Sequence, residues 1–255
     1  LRKILKMPKD LSPLPQTQLK FTTMSTTAKK TVGVIGGSGY TGGELLRLLV
    51  NHPLVTIDFV YSSTRPGTHL TETHTDLIGQ TDLQFTDEVN PNVDVLFLCL
   101  GHGLSGTFLH ENPMNDNTKI IDLSNEFRLQ NDQHFFGKSY VYGLPEFQKQ
   151  KIQSAQAVAN PGCFATAIQL ALLPLAKEGL LQNDVQVHAI TGSTGAGVKP
   201  SATSHFSWRN NNVSWYKPFT HQHLGEIGET LQALQPNIPE INFLPIRGNF
   251  TRGIF

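Results

Sequence analysis

A buried-type strand that runs straight into a glycine turn and then a helix leaves a chain few folds to choose from. Here "TVGVIG" (31–36) leads into "GGSGYTG" (36–42), and "GELLRLLV" (43–50) continues as a helix until His52-Pro53 stops it. Further short apolar runs follow at "VTIDFVYS" (55–62), "VDVLFLCL" (93–100), "KIIDLS" (119–124) and "AQAVAN" (155–160). The run at 93–100 is continuously apolar, as a strand covered on both faces requires. Strands alternating with helices need right-handed crossovers, so the expected architecture is α/β, a Rossmann-type doubly wound parallel sheet.

The texture changes after residue 160. "CFATAIQLALLPLAKEGLL" reads as a helix with Pro174 inside it, where a kink or break is expected. "VQVHAITGSTGAG" reads as a strand entering a glycine-rich loop, and "SWRNNNVSWYKPFTHQH" has no clean period. The expected division is a dinucleotide-binding domain over 31–162 and an α+β substrate and catalytic domain over 163–255. Residues 1–30 carry seven Lys or Arg against one acid, Asp10, and read as a disordered or extraneous lead-in, with an organellar transit peptide as the alternative. "NFTRGIF" ends the chain inside an apolar, strand-like run, which reads as a truncation.

Formal charge is balanced at 20 basic against 20 acidic side chains, so neither nucleic acid nor an acidic membrane is indicated as a partner. No apolar run approaches the ~18 residues of a membrane span. Two cysteines make no disulfide framework, and the chain reads as intracellular and cytoplasmic.

The spacing Gly36, Gly39, Gly42 is a G-x-x-G-x-x-G variant of the dinucleotide fingerprint. Glycine permits the tight turn and the approach of main-chain N–H groups to a pyrophosphate, and the helix N-terminus adds orphan donors. A purely structural turn is the alternative, but the position between strand and helix favours a nucleotide. Gly36, Ser38, Gly39, Tyr40, Thr41 and Gly42 are its candidate contacts. The second strand ends in "YSSTRPG" without the carboxylate that an NAD ribose usually meets. Ser62, Ser63 and Arg65 suit a 2′-phosphate, which points to NADP(H); a solvated loop is the other reading. Gly101, with His102 and Gly103, follows the fourth apolar run, at a strand end where the nicotinamide side would approach.

Cys99 lies in an apolar run and is expected to be buried and inert. Cys163 follows a strand and the Asn160-Pro161-Gly162 turn and opens a helix, a setting expected to lower its pKa and favour thiolate. With a nucleotide site in the same chain, a nucleophilic thiolate suggests acyl-level redox chemistry through a thioester. "HQHLGEIGE" (221–229) offers the acid/base partner, His221, and a carboxylate, Glu226, that could orient an imidazole. His221 and His223 share a face if the segment is extended. A surface histidine pair is the bland alternative, and a zinc site lacks a clear third ligand, so no metal is expected.

Taken together, "GGSGYTGGELLRLL", "IDLSNEFR", "YGLPE", "NPGCFAT", "TGSTGAG" and "HQHLGEI" resemble the N-acetyl-gamma-glutamyl-phosphate reductase family, from about Thr31 to the end of the chain. The resemblance implies NADPH-dependent reduction of an acyl phosphate to a semialdehyde in arginine biosynthesis. It also implies a homo-oligomer, dimer or tetramer. It matches Cys163 to the family's nucleophile, His221 to its acid/base histidine and Glu226 to its acid. Arg128, Asn160, Ser193, Lys199 and His223 fall in the family's substrate surroundings. Gln222 stands where many members have arginine, which leaves N-succinyl beside N-acetyl substrates. An aspartyl-phosphate reductase and a non-catalytic nucleotide-binding sensor are the further alternatives.

Overall fold

The structure, a computed structural model, describes residues 28–255. The lead-in expected at 1–30 therefore lies, apart from 28–30, outside the described residues. The first part of the chain runs β1 (Lys30–Ile35), α1 (Tyr40–Leu49), β2 (Val55–Tyr61), α2 (Leu70–Thr73), β3 (Phe85–Thr86), β4 (Val95–Leu98) and α3 (Ser105–Glu111). It continues with β5 (Lys119–Asp122), β6 (His134–Phe135), β7 (Lys138–Tyr142), α4 (Pro145–Ser154) and β8 (Ala157–Ala159). The second part holds α5 (Cys163–Lys177), β9 (Val185–Thr191), α6 (Phe206–Arg209), β10 (Ser214–Trp215), α7 (His223–Gln232) and β11 (Ile241–Arg247).

The first eight strands form one sheet in the order β3-β2-β1-β4-β5-β8-β7-β6, parallel throughout except at the β6–β7 hairpin. The order reverses at β1: the chain leaves the β3 edge and returns beside β1 as β4. Ligands bind at such switch points, outside the carboxyl ends of the strands. A second sheet, β10-β11-β9, pairs β9 with β11 in parallel and β10 with β11 antiparallel.

Two apolar layers cover the large sheet. Val32, Val34, Leu46, Val60, Leu70 and Phe85 pack on one side of β1. Ile35, Leu96, Leu98, Phe108, Ile120, Tyr140 and Ala159 form the other cluster. A third core joins α5 to α7 and β11 through Phe164, Ile168, Leu172, Ile227, Leu231 and Phe243. Tyr142 and Leu144, from the first part of the chain, are buried in that third core. Each such large apolar side chain contributes about 1.5–3 kcal/mol by burial.

Two expectations fail. α5 does not break at Pro174 but runs on to Lys177. Pro174 and Leu170 are both exposed, so water can take the carbonyl that the missing N–H leaves. "NFTRGIF" is not a strand: β11 ends at Arg247, and only an isolated bridge, Thr191 to Ile254, joins the last residues to β9. Its main chain is used instead to tie down the glycine-rich loop, with Ser193 N–H donating to Phe250 O (2.8 Å) and Thr194 N–H to Thr251 O (3.0 Å).

Candidate active site

The glycine turn is built by exclusion. Gly36 sits at φ +76°, where L side chains rarely go, and a Cβ there would lie 2.6 Å from Cys99 O on the neighbouring β4 segment. A Cβ on Gly42 would lie 2.6 Å from Gly36 O, so the turn closes onto the first turn of α1 only because both residues are glycine. Gly39 is the N-cap of α1, and no side chain caps that helix. Tyr40 and Thr41 are its first residues. Their orphan N–H groups fit a pyrophosphate. Ser38 Oγ lies 3.1 Å from Ser62 Oγ, which joins the turn to the tip of β2. Ser63 and Arg65 are exposed beside it. Gly101 is exposed past the end of β4. The turn, the free helix end and the β2 tip together fit a dinucleotide with a 2′-phosphate.

One part of this turn escaped sequence reasoning. His74 is buried, and its Nε2 is 2.8 Å from Gly37 O. It braces the turn from behind. Only its place in a polar "TETHTDL" loop was visible in the sequence, and that gives no signal of burial.

The second centre lies at the carboxyl end of β8. Gly162 N-caps α5 and Cys163 is its first residue, exposed to solvent. The expected lowering of the thiol pKa is not what the site produces. The surrounding protein desolvates the sulfur and pushes the pKa up, although the residue as a whole reaches solvent. The main-chain N–H groups of Phe164 and Cys163 pull it back down, as does Arg128, while Glu226 pushes it up. Cys99 is buried and its thiol is pushed up to about 12, chiefly by burial, as an inert cysteine requires.

Glu226, on the first turn of α7, is the hub of the site. Its Oε2 accepts from Gly162 N–H (3.0 Å) and Tyr142 Oη–H (2.8 Å), and its Oε1 accepts from Arg128 Nη1 (3.0 Å). Gln169 Nε2 donates to the Tyr142 hydroxyl at 2.8 Å. Glu226 therefore holds the nucleophile's turn, and no imidazole among the described residues is hydrogen-bonded to it. The imidazole nearest to it is His223, whose Nε2 is 3.7 Å away, beyond a hydrogen bond.

Arg128 is 5% exposed. It donates to Asn160 O (2.8 Å) and Leu123 O (3.1 Å) as well as to Glu226. The substrate contact expected of it thus falls on a side chain already engaged in fixing the Asn160-Pro161-Gly162 turn. Asn160 itself is exposed at the strand end, and its main-chain N–H donates to Asp122 O at 2.7 Å.

His221 and His223 are not on an extended segment. His223 begins α7, and the two rings meet edge to face at 4.5 Å between centroids. His221 also packs on Phe164 (5.5 Å), Tyr216 (5.7 Å) and Phe243 (5.4 Å). Its Nδ1 accepts from His223 N–H at 3.2 Å, which leaves the proton of the neutral ring on Nε2. Burial, then the charge on His223, pushes His221 down to about 4; burial, then Arg128, does the same to His223. Both rings are neutral at neutral pH.

Ser193 starts the short helical turn after β9, and its Oγ donates to Phe250 O (3.3 Å). Lys199 is exposed beyond that turn and is not brought against the cysteine by any contact in the structure. Lys217 and Arg247 were not anticipated. Lys217 Nζ donates to Gln222 Oε1 (3.0 Å), and the Arg247 guanidinium lies 4.3 Å from the Tyr216 ring centroid. Among the described residues, no group of three or more His, Cys, Asp or Glu is placed to hold a metal ion, and no helix is long and apolar enough to cross a membrane.

Comparison with known proteins gives two family matches along the chain. Residues 31–155 match the family described as semialdehyde dehydrogenase, NAD binding domain, and residues 163–255 match semialdehyde dehydrogenase, dimerisation domain. The chain is 64% identical over 225 residues to N-acetyl-gamma-glutamyl-phosphate reductase of Flavobacterium johnsoniae, a match covering 88% of this chain and 69% of the relative. It is 55% identical over 225 residues to the enzyme of that name from Parabacteroides distasonis, with the same coverage. Aspartate semialdehyde dehydrogenase from Candida albicans, solved with NADP, superposes with a TM-score of 0.62 at 14% identity, over 89% of this chain and 70% of that one. The second such enzyme of Vibrio cholerae gives 0.63 at 14% identity, over 89% and 73%. At these identities the two structures share the fold alone.

Proposed function

The chain belongs to the N-acetyl-gamma-glutamyl-phosphate reductase family, and on that premise we propose that it reduces N-acetyl-L-glutamyl 5-phosphate to N-acetyl-L-glutamate 5-semialdehyde and phosphate, a step of arginine biosynthesis. The cofactor is NADP(H), held by Gly36, Ser38, Gly39 and Gly42 at the pyrophosphate and by Ser62, Ser63 and Arg65 at the 2′-phosphate. When bound, it supplies the hydride. The observation that carries this reading is the shared edge: Cys163 opens its helix beyond the carboxyl end of β8, in the same parallel sheet whose β1 ends in the glycine turn.

Cys163 acts as the nucleophile. Its thiolate attacks the acyl carbon and phosphate leaves, which gives a thioester on Sγ. The same sulfur is the leaving group when the semialdehyde departs, so one atom must serve twice, a task for which serine is poorly suited. The N–H groups at the start of α5 favour negative charge at the sulfur and at the carbonyl oxygen. His221, neutral and carrying its proton on Nε2, hydrogen-bonds to that oxygen and exchanges a proton with it. Bound phosphate and carboxylate charges raise the pKa of His221 in the loaded site and so populate the imidazolium that gives its proton to that oxygen. Glu226, Tyr142 and Arg128 position the turn that carries the thiol. Assembly into a homo-oligomer accompanies the match of residues 163–255 to a dimerisation domain.

The test is Cys163→Ser, assayed in the reverse direction with semialdehyde, phosphate and NADP. A loss of more than about 10³-fold in kcat is expected, the scale of losing a nucleophile that acts with its acid/base partner. Turnover like that of the unchanged chain would end the thioester proposal.

A further inference from the structure

Of the described arginines other than Arg65, most are neutralised or spent. Arg47 pairs with Glu44, Arg128 with Glu226 and Arg252 with Glu44, at 2.9–3.0 Å. Arg209 is buried and donates to the carbonyls of Thr203, Asn212 and Arg247. Arg247 and Lys217 differ. Among the described residues no carboxylate lies within ion-pair distance of either. Arg247 Nε is buried with no hydrogen-bond partner. Lys217 Nζ has one partner, the neutral amide oxygen of Gln222.

Both cations lie on the histidine side of the site. The Arg247 guanidinium lies against Tyr216, whose ring is 5.7 Å from His221 and 6.5 Å from Phe164, the neighbour of Cys163. A guanidinium can donate two N–H groups in parallel, the arrangement that matches carboxylate and phosphate. Lys217 contacts the residue between the two histidines from the other end of the Tyr216-Lys217 dipeptide. Its backbone is held at φ +46° directly before Pro218, a conformation uncommon for such a residue. The charges of both cations reach His221, whose protonation they disfavour.

We propose that Lys217 and Arg247 form an anion subsite on the Tyr216–His221 side of the site that takes a phosphate or carboxylate group of the substrate. The subsite rests on the acyl-phosphate reading above and adds to it the residues that hold the substrate's charge. Two cations without counter-charges, whose charges reach His221, are complementary to a ligand that carries both groups.

The test reads charge at Cys163 without requiring turnover. The thiol is alkylated by iodoacetate, an anion, and by iodoacetamide, its neutral counterpart, at low ionic strength. The buried Cys99, with its thiol pushed up to about 12, stays silent. The ratio of the two rate constants should fall by roughly 3- to 10-fold in R247Q and in K217Q, since each removes one nearby unit charge. K217R should retain the ratio, and added salt should erase the difference between variants. Inorganic phosphate should protect Cys163 in the unchanged chain and protect it less in the variants. In the reverse assay, a raised KM for phosphate assigns the subsite to the phosphoryl group, and a raised KM for the semialdehyde assigns it to the carboxylate. Unchanged alkylation ratios with unchanged phosphate protection in both R247Q and K217Q would overturn the subsite. A chain that keeps the charge-dependent ratio but turns over no acyl phosphate would instead sink the assigned reaction.

Discussion

Glu226 Oε2 accepts the main-chain N–H of Gly162 at 3.0 Å, so the residue before the nucleophile is held by a carboxylate from another helix. That carboxylate also neutralises Arg128, which is as deeply buried as itself. Glu226→Ala would leave the guanidinium unpaired and the Gly162 N–H without its acceptor. Losing one partner of a buried pair costs about 3–5 kcal/mol. Urea unfolding of Glu226→Ala should show a loss of that size, and kcat should fall with it. Glu226→Asp keeps the charge but retracts it; kcat should fall more than stability does. If kcat were unchanged in Glu226→Asp, Glu226 would not be setting the geometry of the turn.

Gly162 itself carries the second prediction. Its backbone, φ −65° and ψ 151°, suits any residue, so conformation does not demand glycine. Space does: a Cβ would meet the His223 ring and lie 2.7 Å from Glu226 Oε1. Gly162→Ala must push α7 away from α5 at the cysteine. Overpacking of this kind costs about 1–3 kcal/mol. The expected result is a folded chain with a lowered denaturation midpoint and a kcat reduced by at least about tenfold, since small misplacements at a reacting centre are amplified. Steady-state kinetics beside chemical denaturation separates the two effects.

The histidine pair predicts an acid sensitivity. Both rings are pushed down from an ordinary 6.5 to about 4. Between those values the unfolded chain binds more protons than the folded one, so stability rises with pH across this window and is lost as pH falls from about 6.5 toward 4. The unfolding free energy measured from pH 7 to pH 4 should drop more steeply than in His223→Gln, which removes one of the two groups. Equal slopes in the two proteins would mean that neither burial nor the contact between the rings controls their protonation.

Much of this was legible from residues alone, because certain signals are local. The glycine turn, the alternating strands and the exposed Cys163 against the buried Cys99 each follow from a few adjacent residues. What the sequence withheld is long-range. Glu226 was recognisable as an acid near two histidines, yet its three partners, Gly162, Arg128 and Tyr142, come from separate segments. The resemblance put Arg128 in the substrate surroundings, but its burial and its bond to Glu226 depend on segments far apart in the chain. The helix through Pro174 survives because that residue is exposed, which local propensity does not reveal. The thiol pKa was misjudged for the same reason: helix position is local, and desolvation is set by everything around it.

The cofactor preference rests on the tip of β2. Arg65 is exposed there, its side chain bound to no other in the structure, while Ser62 is buried and hydrogen-bonded to Ser38. The serine hydroxyls shape the tip, but only the guanidinium supplies charge for a 2′-phosphate. Arg65→Ser should therefore raise KM for NADPH by roughly tenfold, the scale of one charge-assisted phosphate contact. KM for NADH, which lacks the phosphate, should stay within about twofold, because no carboxylate is present to bind its 2′-hydroxyl. The ratio of kcat/KM for the two cofactors, measured side by side, is the readout. Equal losses with both would show that Arg65 supports the loop and does not read the phosphate; an unchanged ratio with no loss would move 2′-phosphate recognition to another residue of the β2 tip.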